Sequence, residues 1–268
     1  MLKYTGQISK MLSTISDTIQ YSLPIGNNTI DLNQLINTKM QFQFEGQINC
    51  VECNSKIKKT FMQGYCYPCF LNSPKTSECI FKPHLCQAHE GISRDMKWSE
   101  QNCLTENIVY LSLTSNLKVG VTRHSQLPTR WIDQGAHHAI IFAKTPNRYL
   151  AGMIEVELSK FISDRTQWQR MIKGEFEFIN LNQTKKTLET KLSKKYHEYI
   201  ASDTKVLNLI FPIYSTINKV KSINLHKTPE FKGVLTGIKG QYLIFDNMYV
   251  LNIRKYTGYT LNLCFNNE

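Results

Sequence analysis

Seven of the eight cysteines fall between Cys50 and Cys103, and the eighth, Cys264, lies near the end of the chain. This crowding constrains the fold more than any other feature. Cys50-x2-Cys53 and Cys66-x2-Cys69 are separated by twelve residues. A Cys-x2-Cys turn bends the backbone so that both sulfurs reach one ion, and two such turns supply the four thiolates of a tetrahedral Zn2+ site. Soft, anionic sulfur suits Zn2+. Lys56, Lys58 and Lys59 lie between the pairs, where a hairpin is expected. Gly64, just before Tyr65-Cys66, suits the tight turn that the second pair needs. Two disulfides are the alternative, which a reducing cytoplasm disfavours. A redox-active pair is another, but it leaves the duplication unexplained.

Cys79, Cys86, His89 and Cys103 make a second candidate set, with spacings of six, two and thirteen residues. His84 competes with His89 for the nitrogen position. Both sets would surround their ion with protein side chains, so both read as structural zinc in a zinc-ribbon-like module, not as catalytic centres. They replace a hydrophobic core in a segment too polar to make one. Seven thiolates and two Zn2+ contribute −7 + 4 = −3, which lowers the net charge of +11 to about +8. Cys264, within Leu261–Phe265, reads as a buried strand cysteine.

Of the 268 residues, 41% are hydrophobic and 20% charged, which is globular composition and excludes disorder as the main state. No run approaches the roughly 18 apolar residues of a membrane-spanning helix. The first twenty residues lack the apolar centre of a secretory signal. The expected location is the cytoplasm, with no membrane. The basic surplus is zero over 1–49, +2 over 50–103, +5 over 104–200 and +4 over 201–268. Such a surplus favours a polyanionic partner, most simply nucleic acid. A generally basic soluble surface is the plainer reading.

These boundaries define the expected organisation: a β-rich segment 1–49, a zinc-binding module 50–103, an α/β core 104–200 and a β-rich segment 201–268. The fold class is α+β. Strands are expected at Ile8–Leu12, Ile15–Leu23 and Met40–Phe44, with a turn at Pro24–Asn28. In the tail they are expected at Val206–Ile213, Ser222–His226, Phe231–Ile238, Tyr242–Phe245 and Tyr249–Ile253. Five short strands suit a small barrel or sandwich. The N-terminal strands share their character and can complete the same sheet system.

In the core, Ile108–Leu113 and Leu117–Thr122 read as a hairpin about Thr114-Ser115-Asn116, followed by a third strand at His137–Lys144. Residues 149–162 read as a helix with Leu150, Ile154, Leu158 and Phe161 or Ile162 on one stripe. Glu155 and Glu157 lie off that stripe and roughly 200° apart, too far to face one ligand. Adjacent His137 and His138 point to opposite strand faces.

The run Tyr110, Lys118-Val119-Gly120, Arg130 and Glu155 resembles a degenerate GIY-YIG nuclease core. In that family a tyrosine sits in each hairpin strand and a glycine closes the second. An arginine follows on a helix, and a glutamate on a later helix binds a divalent metal. Tyr110, Gly120, Arg130 and Glu155 match those positions. Lys118 stands where the second tyrosine is expected, and the later asparagine of the family has no clear match. The resemblance covers roughly residues 106–165. It implies Mg2+ or Mn2+ at Glu155, Arg130 or Arg123 on the scissile phosphate, and Tyr110 orienting water. Lys118 would serve as a point-charge phosphate contact.

A second resemblance covers nearly the whole chain. The strings Gln63–Phe70, His89–Arg94, Lys118–Arg123 and Pro128–Ala136 are similar to those of the bacterial DUF2797 family. It implies a common fold and brings no settled activity.

The residues themselves allow plainer roles. Tyr110 in an apolar strand also serves as packing, and Glu155 as a solvent-facing helix residue. Binding asks less of the chain than cutting. Lys56, Lys58, Lys59, Arg123 and Arg130 offer phosphate contacts, and Trp131 a ring for a base or for the core. Tyr65, Tyr67, Phe70 and Phe81 stand among lysines, as stacking rings or as the module's own core. Lys185, Lys186, Lys191, Lys194 and Lys195 form a cationic run, either phosphate-facing or solvated. The expectation is a zinc-stabilised nucleic-acid-binding protein. A metal-dependent endonuclease and a module for an acidic protein partner are the alternatives.

Overall fold

Alternating and β-branched residues at both ends of the chain form strands, and those ends meet in one sheet. The computed structural model describes residues 2–162 and 166–266. The N-terminal part runs β1 (Leu2–Gln7), β2 (Leu12–Thr14), β3 (Gln20–Ile25), β4 (Asn28–Asp31), β5 (Lys39–Asn49) and β6 (Lys56–Ile57). Next come α1 (Tyr67–Asn72), α2 (Met96–Asn102), β7 (Asn107–Leu113), β8 (Leu117–Arg123), α3 (Thr129–Asp133), β9 (His138–Thr145) and α4 (Arg148–Leu158). Helices α5 (Trp168–Lys173) and α6 (Leu181–Glu189) precede β10 (Leu207–Asn208) and β11 (Lys221–Ser222). The chain ends with β12 (Glu230–Lys239), β13 (Tyr242–Phe245), β14 (Tyr249–Asn252) and β15 (Tyr259–Phe265).

Two compact units result, one of residues 1–71 with 210–268, the other of residues 72–209. The boundary at Leu71 falls between the two cysteine sets.

In the first unit the main sheet has the order β1-β15-β5-β12-β13-β14-β11, with β6 paired to β5. The alternation of Met40-Gln41-Phe42-Gln43 works as expected: Met40 and Phe42 are buried, and Phe42 meets Phe245 edge-on at 5.8 Å. The polar strand β1 was not legible locally. It forms because β15 offers it a partner, from Leu2 opposite Phe265 to Gln7 opposite Thr260. A second sheet, β2-β3-β4, replaces the longer strands expected before residue 24. Its turn is confined to Gly26-Asn27, because Pro24 and Ile25 continue β3 opposite Thr29 and Asn28. The expected strand Val206–Ile213 shrinks to β10, since Pro212 has no N–H for a ladder.

The second unit centres on an antiparallel sheet of order β10-β9-β7-β8. The expected hairpin and third strand are β7, β8 and β9. Strand β7 is central and buried along its whole length. One face, with Val109 and Leu111, packs with Ile140 and Phe142 against Ile154 and Leu158 of α4 and Leu181 and Leu188 of α6. The expected helix over 149–162 is α4, capped by Asn147, whose Oδ1 accepts from Leu150 N at 2.9 Å. The cationic run on α6 is not uniformly outward. Lys185 is buried and its Nζ donates to the carbonyls of Ala201 and Asp203, so it pins the helix.

Candidate functional site

Cys50 ends β5, and Cys66 precedes α1, which carries Cys69. The turn from Val51 to Asn54 and the hairpin-like bridge of Phe61 to Tyr65 bring the pairs together. The sulfurs of Cys50, Cys53, Cys66 and Cys69 all lie within 4.8 Å of one another, as chelation of one ion requires. All eight cysteines are free thiols. Backbone N–H groups point at the sulfurs: Cys66 N donates to Cys50 Sγ at 3.2 Å, and Cys69 N to Cys66 Sγ at 3.4 Å. Burial pushes the Cys50 thiol up, but the backbone groups of Cys53, Cys66 and Glu52 outweigh it and hold it below the ordinary range. The Ser55 hydroxyl and backbone draw Cys53 down to about 6. Such donors favour the thiolate that a metal needs. Lys56, Lys58 and Lys59 are exposed beside this set, with Lys59 Nζ 5.5 Å from the Phe61 ring centre.

The second set is built differently. Residues 74–90 make four successive three-residue 3-10 turns, and α2 starts at an Asp95 cap whose Oδ1 accepts from Trp98 N at 3.0 Å. The sulfurs of Cys79, Cys86 and Cys103 converge within 4.8 Å. His89 is not among them. Its ring stacks on Tyr149 of α4 at 4.3 Å, and its Nε2 lies 3.8 Å from Glu90. His84 is not among them either. Its backbone abuts α4 so closely that a Cβ on Gly152 would lie 2.1 Å from His84 N. The expected Cys3His set is thus three converging thiols with both histidines placed elsewhere. Hydrogen bonds from Cys79 and Cys86, then Arg148, hold Cys103 well below the ordinary thiol range. Arg148 itself is 8% exposed and donates N–H to the Cys103 carbonyl at 2.8 Å. Arg123 sits here too, half-buried, bonded to Asn102 Oδ1 and close to Arg148 and Cys103. The three cysteines line a cavity of about 400 Å³.

Of the nuclease-like positions, Tyr110 and Gly120 lie on the other face of β7 and β8, away from Val109 and Leu111. Tyr110 is opposite Gly120, and its ring lies over that glycine: a Cβ there would be 2.6 Å from the hydroxyl oxygen. The hydroxyl donates to Gln134 Oε1 at 2.9 Å. Burial pushes this hydroxyl up, Arg130 and Gln134 pull it down, and Glu155 acts upward. Arg130 and Glu155 are therefore both within electrostatic reach of Tyr110. Lys118, half-buried, shares the Gly120 face of β8. Trp131 is 6% exposed and meets Tyr110 edge-on at 6.0 Å, so the expected stacking ring belongs to the core. Glu157 points away, accepting from Ser193 N at 3.1 Å and Oγ at 2.9 Å. Gln134 and Arg148 were missed from sequence.

A family model described as "Protein of unknown function (DUF2797)" matches residues 37–261, which include both cysteine sets and the whole central sheet. The chain belongs to the DUF2797 family. Neither a curated protein nor a solved structure matches it. In this DUF2797 chain two things stand plainly: a mixed α/β fold with terminal β-sheets, and two cysteine clusters able to chelate a metal ion. Among the described residues, no helix is long and apolar enough to cross a membrane.

Proposed function

We propose that this DUF2797 protein is a zinc-stabilised nucleic-acid-binding protein with a degenerate GIY-YIG-like core. One observation carries the reading: Arg130 and Glu155, named by resemblance from two separate elements, each act on the hydroxyl of Tyr110, named from a third. The order of hairpin, α3, third strand and α4 supports it. The thiolate sets fit Zn2+ by donor type, and the basic surplus survives their charge. Arg130 is the phosphate contact. Lys56, Lys58 and Lys59 are a second basic patch on the first unit.

Binding is favoured over cutting because Tyr110 is completely buried and its hydroxyl is taken by Gln134. A hydroxyl so placed does not reach water at a phosphate. The second reading, an endonuclease holding Mg2+ or Mn2+ at Glu155, draws on the carboxylate's electrostatic reach to Tyr110.

Anisotropy titrations of zinc-replete protein against single-stranded, duplex and hairpin DNA and RNA test both. Affinity should fall steeply with salt, and Arg130→Ala should weaken binding and reduce the salt slope by about one. Absence of binding at low salt to every member would sink the proposal. Metal-dependent product from wild type, lost in Glu155→Gln with binding kept, would establish the second reading instead.

A further inference from the structure

We infer that the Cys79–Cys86–Cys103 cluster is an open tris-thiolate metal centre whose remaining coordination position takes a small thiolate from solution. This rests on the zinc reading above and departs from it in one respect: that reading makes the metal purely structural.

The first argument is access. All three cysteines line the cavity of about 400 Å³, a volume in the range of small-ligand pockets. Leu85 and Ile92, both exposed, also line it, so it opens to solvent, and Trp98 gives it an apolar wall. The second argument is ligand supply. Among the described residues, no histidine nitrogen joins the three converging sulfurs, and the His89 ring stacks on Tyr149. Glu78 lines the cavity, but its carboxylate is paired with Lys82 at 2.7 Å.

Charge decides the chemistry of the ligand. Three thiolates and one Zn2+ sum to −1. Arg148 and Arg123, both close to Cys103, and Arg94 on the cavity wall bring +3. The assembly stands at +2 before its fourth ligand. A neutral imidazole would leave all of that charge beside half-buried sulfurs, where it is costly. A monoanion halves it. An anionic sulfur on a short carbon chain suits the apolar wall better than hydroxide does. The thiol binds as its thiolate, and its proton passes to the buffer. No redox change is involved.

The test uses the full chain, stripped of metal and refilled with Co2+, then titrated with 2-mercaptoethanol. The readouts are bound cobalt per chain, the thiolate-to-cobalt charge-transfer band and the d–d bands. Wild type and His89→Ala should each bind two equivalents. Added thiol should raise the charge-transfer intensity, saturably, by one thiolate per chain in both. Cys86→Ser should bind one equivalent and give no response. If that variant does not fold, the wild-type and His89→Ala titrations decide the matter alone. Two bound equivalents with no response to thiol, or an altered d–d spectrum or lost cobalt in His89→Ala, would overturn the inference while leaving the zinc reading intact. A single equivalent in wild type would overturn both for this cluster.

Discussion

Gly120→Ala should destabilise the central sheet, because Tyr110 fills the space that a methyl group would need. A Cβ at this position would lie 2.6 Å from the Tyr110 hydroxyl oxygen and 2.7 Å from its Cζ. Ordinary contact is about 3.5–4 Å. Tyr110 is fully buried and has no solvent to move into. Overpacking of this kind costs about 1–3 kcal/mol. Displacing the ring also breaks the bond to Gln134, roughly 1 kcal/mol more. Against this, alanine in a strand is better than glycine by about 0.5–1 kcal/mol. The clash wins, with a net loss of about 1–3 kcal/mol.

The sign should reverse once the ring is gone. In a Tyr110→Ala background only the backbone preference remains, and Gly120→Ala should stabilise by about 0.5 kcal/mol. Urea unfolding of the four members of this cycle, zinc-replete, measures the coupling. All three tryptophans, Trp98, Trp131 and Trp168, lie in the 72–209 unit, so their fluorescence reports on that unit. An equal cost of Gly120→Ala in both backgrounds would refute the steric account.

Two further outcomes follow from other parts of the chain. Lys239 is 1% exposed, and burial pushes its ammonium down to about 7. The unfolded chain then binds more protons than the native one from about pH 7 to about pH 10, so stability owed to this residue rises with pH. The stability difference between wild type and Lys239→Met should grow by a few kcal/mol from pH 7 to pH 9.5; a pH-independent difference in urea unfolding would contradict this. Cys66→Ser should remove one of two zinc equivalents, measured by elemental analysis, and leave tryptophan-detected melting of the other unit unchanged. Loss of both metals together would show that the clusters are not separate.

What could be read from the sequence was local, and what could not depended on distant partners. The convergence of Cys50, Cys53, Cys66 and Cys69 was legible because a turn of its own residues brings each pair together. The β7–β8 hairpin was legible because Ile108–Leu113 and Leu117–Thr122 are β-rich runs about a short turn. Strand β1 was not, since the residues that make it a strand lie in β15, more than 250 positions away. His89 has the right spacing from Cys86, yet Tyr149 from a later helix takes its ring. Lys185 looked like one more surface lysine until the carbonyls of Ala201 and Asp203 came round to meet it. In each case spacing specified what the residue could do, and a contact from elsewhere in the chain specified where it was held.

A metal bound at the second cysteine cluster would order a part of the fold that has little core of its own. Its buried apolar residues are Cys86, Ala88 and Cys103, with Cys79, Trp98, Leu104 and Tyr149 only partly buried around them. Three of these seven are cysteines. A core this small, carried on 3-10 turns with weak hydrogen-bond geometry, does not order the segment by burial alone. Yet the same segment is tied to α4 at three points: the Cys103 carbonyl to Arg148 N, His84 against Gly152, and His89 on Tyr149. Helix α4 also carries Glu155, which acts on the Tyr110 hydroxyl. An ion that fixes Cys103 therefore fixes the start of the helix on which Glu155 sits, seven residues beyond Arg148. Loss of such an ion would loosen that start first, because those ties depend on the ordered 3-10 segment, while Ile154 and Leu158 are packed on the sheet.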